Sequence, residues 1–399
     1  MKYKLWALAL GNFAVGTGSL IVAGILPEIA SGLGTSVALA GQLVTIYGLA
    51  LAIGAPLLAM ATSRIDRRAL MLGGLAIFLL ACLIGVYAAN FTMLALSRVL
   101  AGVGAALFTP NAAAFAAQSV QPEHRGRAIA LVFAGFSLAS VVGVPLGTYV
   151  GCEFGWRSAF GLVAALALLA IFMLATTLPR GVQVPPVALR NWFRLFCRPA
   201  PMLAVTTTML IMAGQYALFT YIAALLAQHH GIAPTGLSML LVWFGVAGVL
   251  GNAAAGRAVD RVGAAQVATL GIGVLLTAFM IMAYSEASLL LTIIAMGLWG
   301  GAAFAITSAQ QARLVNQDPR LASATLALNT SALYVGQAGG AVLGGIAISM
   351  SGLDSVPWVG VILLAAAFAV SVWESLLPPK SQAAMLSRTA PSSVTSQLP

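Results

Sequence analysis

The chain has 399 residues, of which 61% are hydrophobic and only 7% charged, against about 25% charged in an ordinary soluble domain. So few charges cannot cover a water-facing surface of this size, which excludes a soluble globular protein and points to an integral membrane protein. The net charge of +10 then reports orientation across a membrane, and nucleic acid is not an expected partner.

A spanning helix needs roughly 20 apolar residues. Twelve stretches qualify: 5–27, 39–61, 69–90, 92–119, 128–150, 157–178, 201–228, 235–258, 264–284, 286–311, 321–350 and 355–377. The expected fold class is an all-α integral membrane protein with twelve transmembrane helices. Residues 1–178 read as an N-terminal six-helix bundle and 179–200 as a cytoplasmic linker. Residues 201–378 read as a C-terminal six-helix bundle, and 379–399 as a disordered, Ser- and Thr-rich cytoplasmic tail. With the N-terminus inside, 17 of the 19 basic residues fall on the cytoplasmic side, as the positive-inside rule requires. Arg157 falls outside, beside Glu153, and Arg98 lies in the membrane.

The first span follows a basic start, and its apolar run is too long for a signal peptide. It contains Asn12 and the run Gly16-Thr-Gly-Ser19, which suits cavity lining and tight packing equally, and it ends at Pro27-Glu28. The second span ends in the basic run Ser63-Arg64-Ile65-Asp66-Arg67-Arg68. In the fourth span Arg98 sits in an apolar stretch with Gly102 and Gly104 after it. A lone cation there needs a carbonyl, a partner or a water-filled cavity. The fifth span places Gly135, Ala139, Gly143, Gly147 and Gly151 at four-residue intervals, a smooth face along which two backbones can approach and slide. Pro145 sits in the same helix and removes one backbone donor, so a bend is expected there. The linker carries several prolines and arginines, and its segment from Trp192 to Phe196 could lie on the inner membrane surface.

The second half repeats the first at an offset of 197. Gly54 falls on Gly251, Ala59 on Gly256 and Arg64 on Arg261. Gly135, Ala139, Gly143 and Gly147 fall on Ala332, Gly336, Gly340 and Gly344. One register aligning separate segments implies a duplication of six spans. Six is even, so the halves are parallel repeats about an axis along the membrane normal. The copies differ where Asp260 meets Ser63 and where Arg98 meets Ala295.

An enzyme reading lacks material. The nine carboxylates map to loops or helix ends, and no HExxH, GxSxG or phosphate-loop pattern occurs. His229-His230 reads as an ordinary outer loop, and Cys82, Cys152 and Cys197 are too scattered for a metal site or a disulfide framework. Neither a metal nor a cofactor is expected. A transporter needs polar groups deep in its bundle. Ser19, Asn111, Gln118, Gln215, Tyr216, Tyr221, Trp299, Asn329, Tyr334 and Gln337 are the candidates. Their amides and aromatics suit a neutral or cationic small organic molecule.

These runs resemble the major facilitator superfamily across roughly residues 1–378, and most closely its twelve-span drug/proton antiporter branch of bacterial sugar, nucleoside and drug exporters. The superfamily's loop signature is similar to the run ending at Arg68, and more fully to Gly256-Arg-Ala-Val-Asp260-Arg261-Val-Gly263. The fourth-span signature matches Arg98, Gly102 and Gly104, and the fifth-span antiporter signature matches Gly143, Pro145 and Gly147. Phe154-Gly-Trp-Arg157 and Leu26-Pro-Glu-Ile29 also look like that branch.

The resemblance implies a secondary transporter in the bacterial inner membrane, both termini cytoplasmic, that works by alternating access and can act as a monomer among lipids. It implies roles in mechanism for Arg98, Gly102, Gly143, Pro145 and Gly147. It also implies a cytoplasmic gate from Ser63, Arg64, Asp66, Arg67, Asp260 and Arg261. Relatives with a similar first span carry an acid where this chain has Ser19. Proton exchange would therefore fall to Glu28 or Glu153 at the outer rim; the alternatives are a proton-independent facilitator, an uptake permease, or a membrane scaffold or sensor that does not transport.

Overall fold

The computed structural model describes residues 2–62, 65–121, 124–179, 199–317 and 322–376. Ser63, Arg64, most of the linker including residues 192–196, and the tail lie outside them. The described chain is helical, with twelve helices long and apolar enough to cross a membrane. The first half comprises α1 (Lys2–Gly24), α2 (Leu26–Gly32), α3 (Val37–Ala61), α4 (Arg67–Val86), α5 (Phe91–Gln118), α6 (Arg125–Leu138), α7 (Val144–Glu153) and α8 (Trp156–Thr177). The second half comprises α9 (Pro199–Phe219), α10 (Ile222–His230), α11 (Pro234–Val262), α12 (Ala264–Ala283), α13 (Leu289–Gln317), α14 (Ala322–Ser351) and α15 (Val356–Leu376). The up-and-down order brings the start of α1 and the basic starts of α4 and α6 to one end, called proximal below. Glu28, Glu153 and Arg157 lie at the other, distal end. Exposed aromatics ring both ends: Tyr3, Trp6 and Trp373 the proximal, Tyr87, Phe154 and Tyr284 the distal, as at bilayer interfaces.

Local signals set the helix ends. The Ser36 side chain accepts the Leu39 N–H and the Asn90 side chain the Met93 N–H, starting α3 and α5 with filled caps. The first span runs further than its hydropathy predicts. Its helix breaks at Ile25, because Pro27 lacks an N–H to give back to the preceding turn, and resumes as α2. Glu28 is therefore on a short helix rather than a loose rim. The second half breaks in the same place: α9 ends at Phe219 and α10 starts at Ile222.

The expected bend at Pro145 takes a specific form. Residues Ala139–Gly143 form a π-turn directly before α7, and the widened turn absorbs the hydrogen bond that Pro145 cannot make.

The small-residue stripe of the fifth span packs against the first. A Cβ on Gly135 would sit 1.9 Å from the Ala9 carbonyl oxygen, one on Gly143 2.1 Å from Thr17 Oγ1, and one on Gly147 2.1 Å from Ile21 Cδ1. All three partners are on α1, so the stripe is a seam inside the first bundle. The repeat is reproduced in space: a Cβ added to Gly336 or Gly340 would run into the Met209 or Ala213 carbonyl of α9. The Gly16-Thr-Gly-Ser19 stretch is likewise packing surface, since Gly16 meets Phe136 and Gly18 meets Phe78.

The halves meet chiefly along α3 with α14 and along α11 with α7 and the π-turn. Thr45 Oγ1 donates to the Ala338 carbonyl at 3.4 Å, Gly345 faces Gln42 and the Ala38 carbonyl, and Gly245 faces the Ser140 carbonyl. These contacts lie at mid-span and toward the distal end. Along α3, buried residues recur from Ala40 to Ala52, and from Ile53 to Ala61 no described side chain is buried. Along α11 burial is dense up to Gly248 and afterwards reaches only Ala255. The bundle is thus closed distally and cleft proximally.

Replacing Gly135 or Gly340 by Leu drives a side chain into a neighbouring carbonyl. Overpacking of this kind costs about 1–3 kcal/mol or more. Both variants are expected to melt lower than the parent in detergent, followed by tryptophan fluorescence, while Gly73→Leu, which meets nothing within 4 Å, melts near it.

Candidate functional site

Arg98 is buried at 2% exposure in the middle of the first half. Its placement follows from the glycines after it. Gly102 lies against the Tyr47 carbonyl of α3, and Gly104 against the Gly74 carbonyl of α4, so α5 wedges between those two helices and carries the guanidinium inward. Nη2 donates to the Gly18 carbonyl at 3.2 Å. The guanidinium carbon lies 5.2 Å from the Tyr47 ring centre and 5.6 Å from that of Phe160. Nε has no acceptor among the described residues. Ser19 follows Gly18 in α1, and Cys82 is a buried free cysteine of α4. Among the described residues no carboxylate forms an ion pair with Arg98.

The energetics separate this residue from a structural clamp. Two ring faces at about 2 kcal/mol each and one charge-assisted bond at about 1.5–3 kcal/mol roughly offset the several kcal/mol that desolvating the ion costs. Little net stability remains.

Two other buried arginines are held differently. Arg67, expected at the gate, is buried at the start of α4 and donates from Nη1 to Asn111 Oδ1 at 2.7 Å. Asn111 Nδ2 in turn donates to the Leu107 carbonyl. That fastens α4 to α5 near the proximal end. Arg313 was missed in the sequence as anything but a cytoplasmic charge. Its Nε lies 2.9 Å from Glu374 Oε1, with both side chains about 5% exposed or less. Its Nη1 donates to Ser371 Oγ at 2.9 Å, and Ser371 is hydrogen-bonded to Thr269 at 2.7 Å. The cluster ties α12, α13 and α15. No spacing could have shown it, because the pair is assembled from different spans.

Among the remaining candidates, Trp299 and Gln215 are joined, the indole N–H donating to Gln215 Oε1 at 3.0 Å. Trp299 is 1% exposed and packs against Phe219, Phe244 and Phe279. The structure seats this pair in the core of the second bundle rather than on a cavity wall. Tyr216 and Tyr334 are half-buried; Tyr216 packs edge-on against Phe219, and the Tyr334 backbone carbonyl faces Gly48 of α3. Tyr221 donates to the Ala341 carbonyl at 2.8 Å. Asn329 and Gln337 are buried, with Asn329 Oδ1 and Gln337 Nε2 lacking protein partners among the described residues. Asn12, which was not singled out for a role, is fully buried and joins three spans, donating to the Val132 carbonyl and accepting from Thr109.

At the expected gate, Asp66 precedes α4, and Asp260 and Arg261 are exposed on the last turn of α11. At the distal end, Glu28 Oε1 accepts a bond from the Cys152 thiol at 3.2 Å, and Glu153 is exposed. His229 Nε2 pairs with Asp354 at 2.7 Å and His230 Nε2 with Thr292 at 2.9 Å, so each histidine engages a different partner and the two do not converge.

Comparison with known proteins agrees with this architecture. The profile of the Major Facilitator Superfamily matches residues 8–225 and again 204–396. The chain is 32% identical over 367 residues to the inner membrane transport protein YdhP of Escherichia coli (strain K12), covering 91% of this chain and 93% of that one. It is 30% identical over 380 residues to a chloramphenicol resistance protein of Streptomyces lividans, covering 93% and 96%. Among solved structures it superposes on a bacterial homolog of the human lysosomal transporter Spinster with a TM-score of 0.75 at 20% identity, over 94% of this chain and 96% of the other.

The Arg313 cluster allows a direct test. Removing one member of a buried ion pair costs about 3–5 kcal/mol, so Glu374→Leu is expected to lower the melting temperature markedly. Adding Arg313→Met should restore most of the loss, as a double-mutant cycle in detergent would measure.

Proposed function

Because the chain belongs to the major facilitator superfamily and is a multi-pass membrane transporter rather than an enzyme, we propose that it exports a small organic molecule by alternating access, in exchange for protons. The observation that carries this reading is the asymmetric closure. The halves touch along α3–α14 at the distal end and part toward the proximal end, which is one of the two states that rocking about a central site requires. In this reading the proximal, arginine-rich end faces the cytoplasm of a bacterial cell, and residues 1–178 and 201–378 move as the two bodies. Each copy carries both halves, so a monomer suffices.

Tyr216 and Tyr334 offer hydroxyls and ring faces where the halves meet, and Arg98 is sealed behind Tyr47. That environment favours a neutral, partly aromatic substrate over a phosphorylated anion. The relative named for chloramphenicol resistance supports an export direction and supplies a first compound. Arg98 senses rearrangement at the junction through the Tyr47 ring. The glycines of α6 and α7 keep α1 rigid within its bundle while the two bodies rock. Asp66, Arg67, Asp260 and Arg261 belong to the proximal latch that closes in the opposite state, together with Ser63 and Arg64.

A second reading has one specific observation in its favour. Ser19 occupies the position where relatives carry an acid, and the surroundings of Arg98 hold no carboxylate, which suits a proton-independent facilitator.

Inside-out vesicles with an acidified lumen distinguish the two. Chloramphenicol, with nucleosides, sugars, amino acids and a cationic dye alongside, is added while a fluorescent probe reports lumenal pH. Exchange predicts substrate-triggered proton release that Arg98→Ala reduces at least about tenfold, equal to roughly 1.4 kcal/mol of coupling. Labelled substrate crossing without proton movement establishes the facilitator. No crossing of any compound overturns both in favour of a scaffold.

A further inference from the structure

The distal junction of the halves contains one aromatic side chain held between glycines. Tyr221 stands at the break in the first span of the second half, where α9 ends at Phe219 and α10 starts at Ile222. Its ring is fully buried. The hydroxyl donates to the Ala341 carbonyl of α14 at 2.8 Å, which fixes the ring to its own half. Behind it, a Cβ on Gly344 would lie 2.7 Å from Tyr221 Cε2, and one on Gly345 would lie 2.7 Å from the hydroxyl. The opposite edge meets the first half. A Cβ on Gly41 of α3 would run into Cε1, Cζ and the hydroxyl together. Three glycines drawn from both halves thus make a notch, and the ring fills it.

The repeat shows that this arrangement is peculiar to one half. The offset of 197 places Tyr221 on Gly24, Gly345 on Thr148 and Gly41 on Ser238. In the first half the sizes are exchanged, because Gly24 is the small member and a Cβ on it would run into the Thr148 hydroxyl. The first half therefore has no side chain at the position from which Tyr221 reaches across.

We propose that Tyr221 is the latch of the distal closure: it travels with the second half, and its seating against Gly41 of the first half holds the protein in the proximal-open state. The bond to Ala341 and the contacts with Gly344 and Gly345 leave the ring little room to yield, since packed interiors transmit displacement rather than absorb it. Tight closure at this level then requires that residue 41 carry no Cβ. When the halves part, Gly41 withdraws from the ring edge while the bond to Ala341 stays within the second half. Opening costs this residue packing contact and no hydrogen bond, which suits a contact made and broken in every cycle. The Thr45 bond to the Ala338 carbonyl, one turn further along α3 at 3.4 Å, lies on the same seam and closes with it.

The inference rests on the rocking motion proposed above and needs no knowledge of the substrate. Spin labels on Ser31→Cys and Ala233→Cys, exposed at the distal end of opposite halves, report distal opening. Labels on Ala59→Cys and Val262→Cys, exposed at the proximal end, report proximal closure. Electron–electron resonance distances are collected for the full chain in lipid nanodiscs, in a Cys82→Ala, Cys152→Ser, Cys197→Ser background. Gly41→Ala is expected to raise the long-distance fraction of the distal pair severalfold and to shorten the proximal pair in step. Tyr221→Ala should also raise that fraction. The double variant should be no more open than Tyr221→Ala alone, because the added methyl then meets no ring. Gly73→Ala, whose Cβ meets nothing within 4 Å, should match the parent. A distal distribution in Gly41→Ala equal to the parent's, or effects that simply add in the double variant, overturns the latch and leaves rocking intact. A distal pair that lengthens while the proximal pair stays unchanged overturns the rocking reading and confines Tyr221 to a local contact.

Discussion

Close approach of helix backbones is the constraint on which the rest of this structure depends. In a lipid phase helices gain nothing by hiding apolar side chains from a solvent that is equally apolar, so association must come from packing and from backbone contact. The chain meets that demand with glycine seams. Gly135, Gly143 and Gly147 fit against α1, Gly336 and Gly340 against α9, and Gly74 and Gly104 lie against each other's carbonyls. Each seam lies within one half, which makes the halves internally stiff. The contact between halves is formed by α3 with α14 and by α11 with α7 and its π-turn. Two stiff bodies joined by a limited interface are what a rocking mechanism requires.

Three buried arginines show how local chemistry divides stability from mechanism. Arg67 and Arg313 have defined polar partners, Asn111 in one case and Glu374 with Ser371 in the other, and they hold helices together near the proximal end. Arg98 has a carbonyl and two ring faces, contacts that roughly balance its desolvation without adding to it. A charge held with so little surplus can respond when Tyr47 moves. Tyr47 lies on α3, the helix that meets α14 of the other half, so the buried cation packs on a ring carried by an interface helix.

The duplicated halves have diverged where their chemistry matters. Both break their first helix near the distal end, at Ile25 and at Thr220–Tyr221, and both use small residues on their fifth span. Only the first half carries a mid-membrane arginine, and only the second encloses a Trp–Gln pair in an aromatic cluster. At the distal closure one half provides the ionisable Glu28 and the other an apolar lid. Symmetry accounts for the scaffold, and its violations mark where function resides.

Class, span number and repeat could be read from the sequence alone, because lipid imposes a rule on every residue of a spanning segment: the backbone must bond to itself and the side chains must be apolar for roughly 20 residues. That rule is local, so a linear reading recovers it, and the offset of 197 exposed the duplication for the same reason. Arg98 was legible as a buried charge by the same rule. What it touches was not, and neither was the partner of the glycine stripe, which faces α1 within its own half rather than the other half. The burial of Trp299, the Arg313–Glu374 pair and the setting of Glu28 were equally hidden. Each depends on which face of a helix meets which neighbour. In a chain whose helices are apolar on all sides no polar face records that choice, so only the packed bundle decides it.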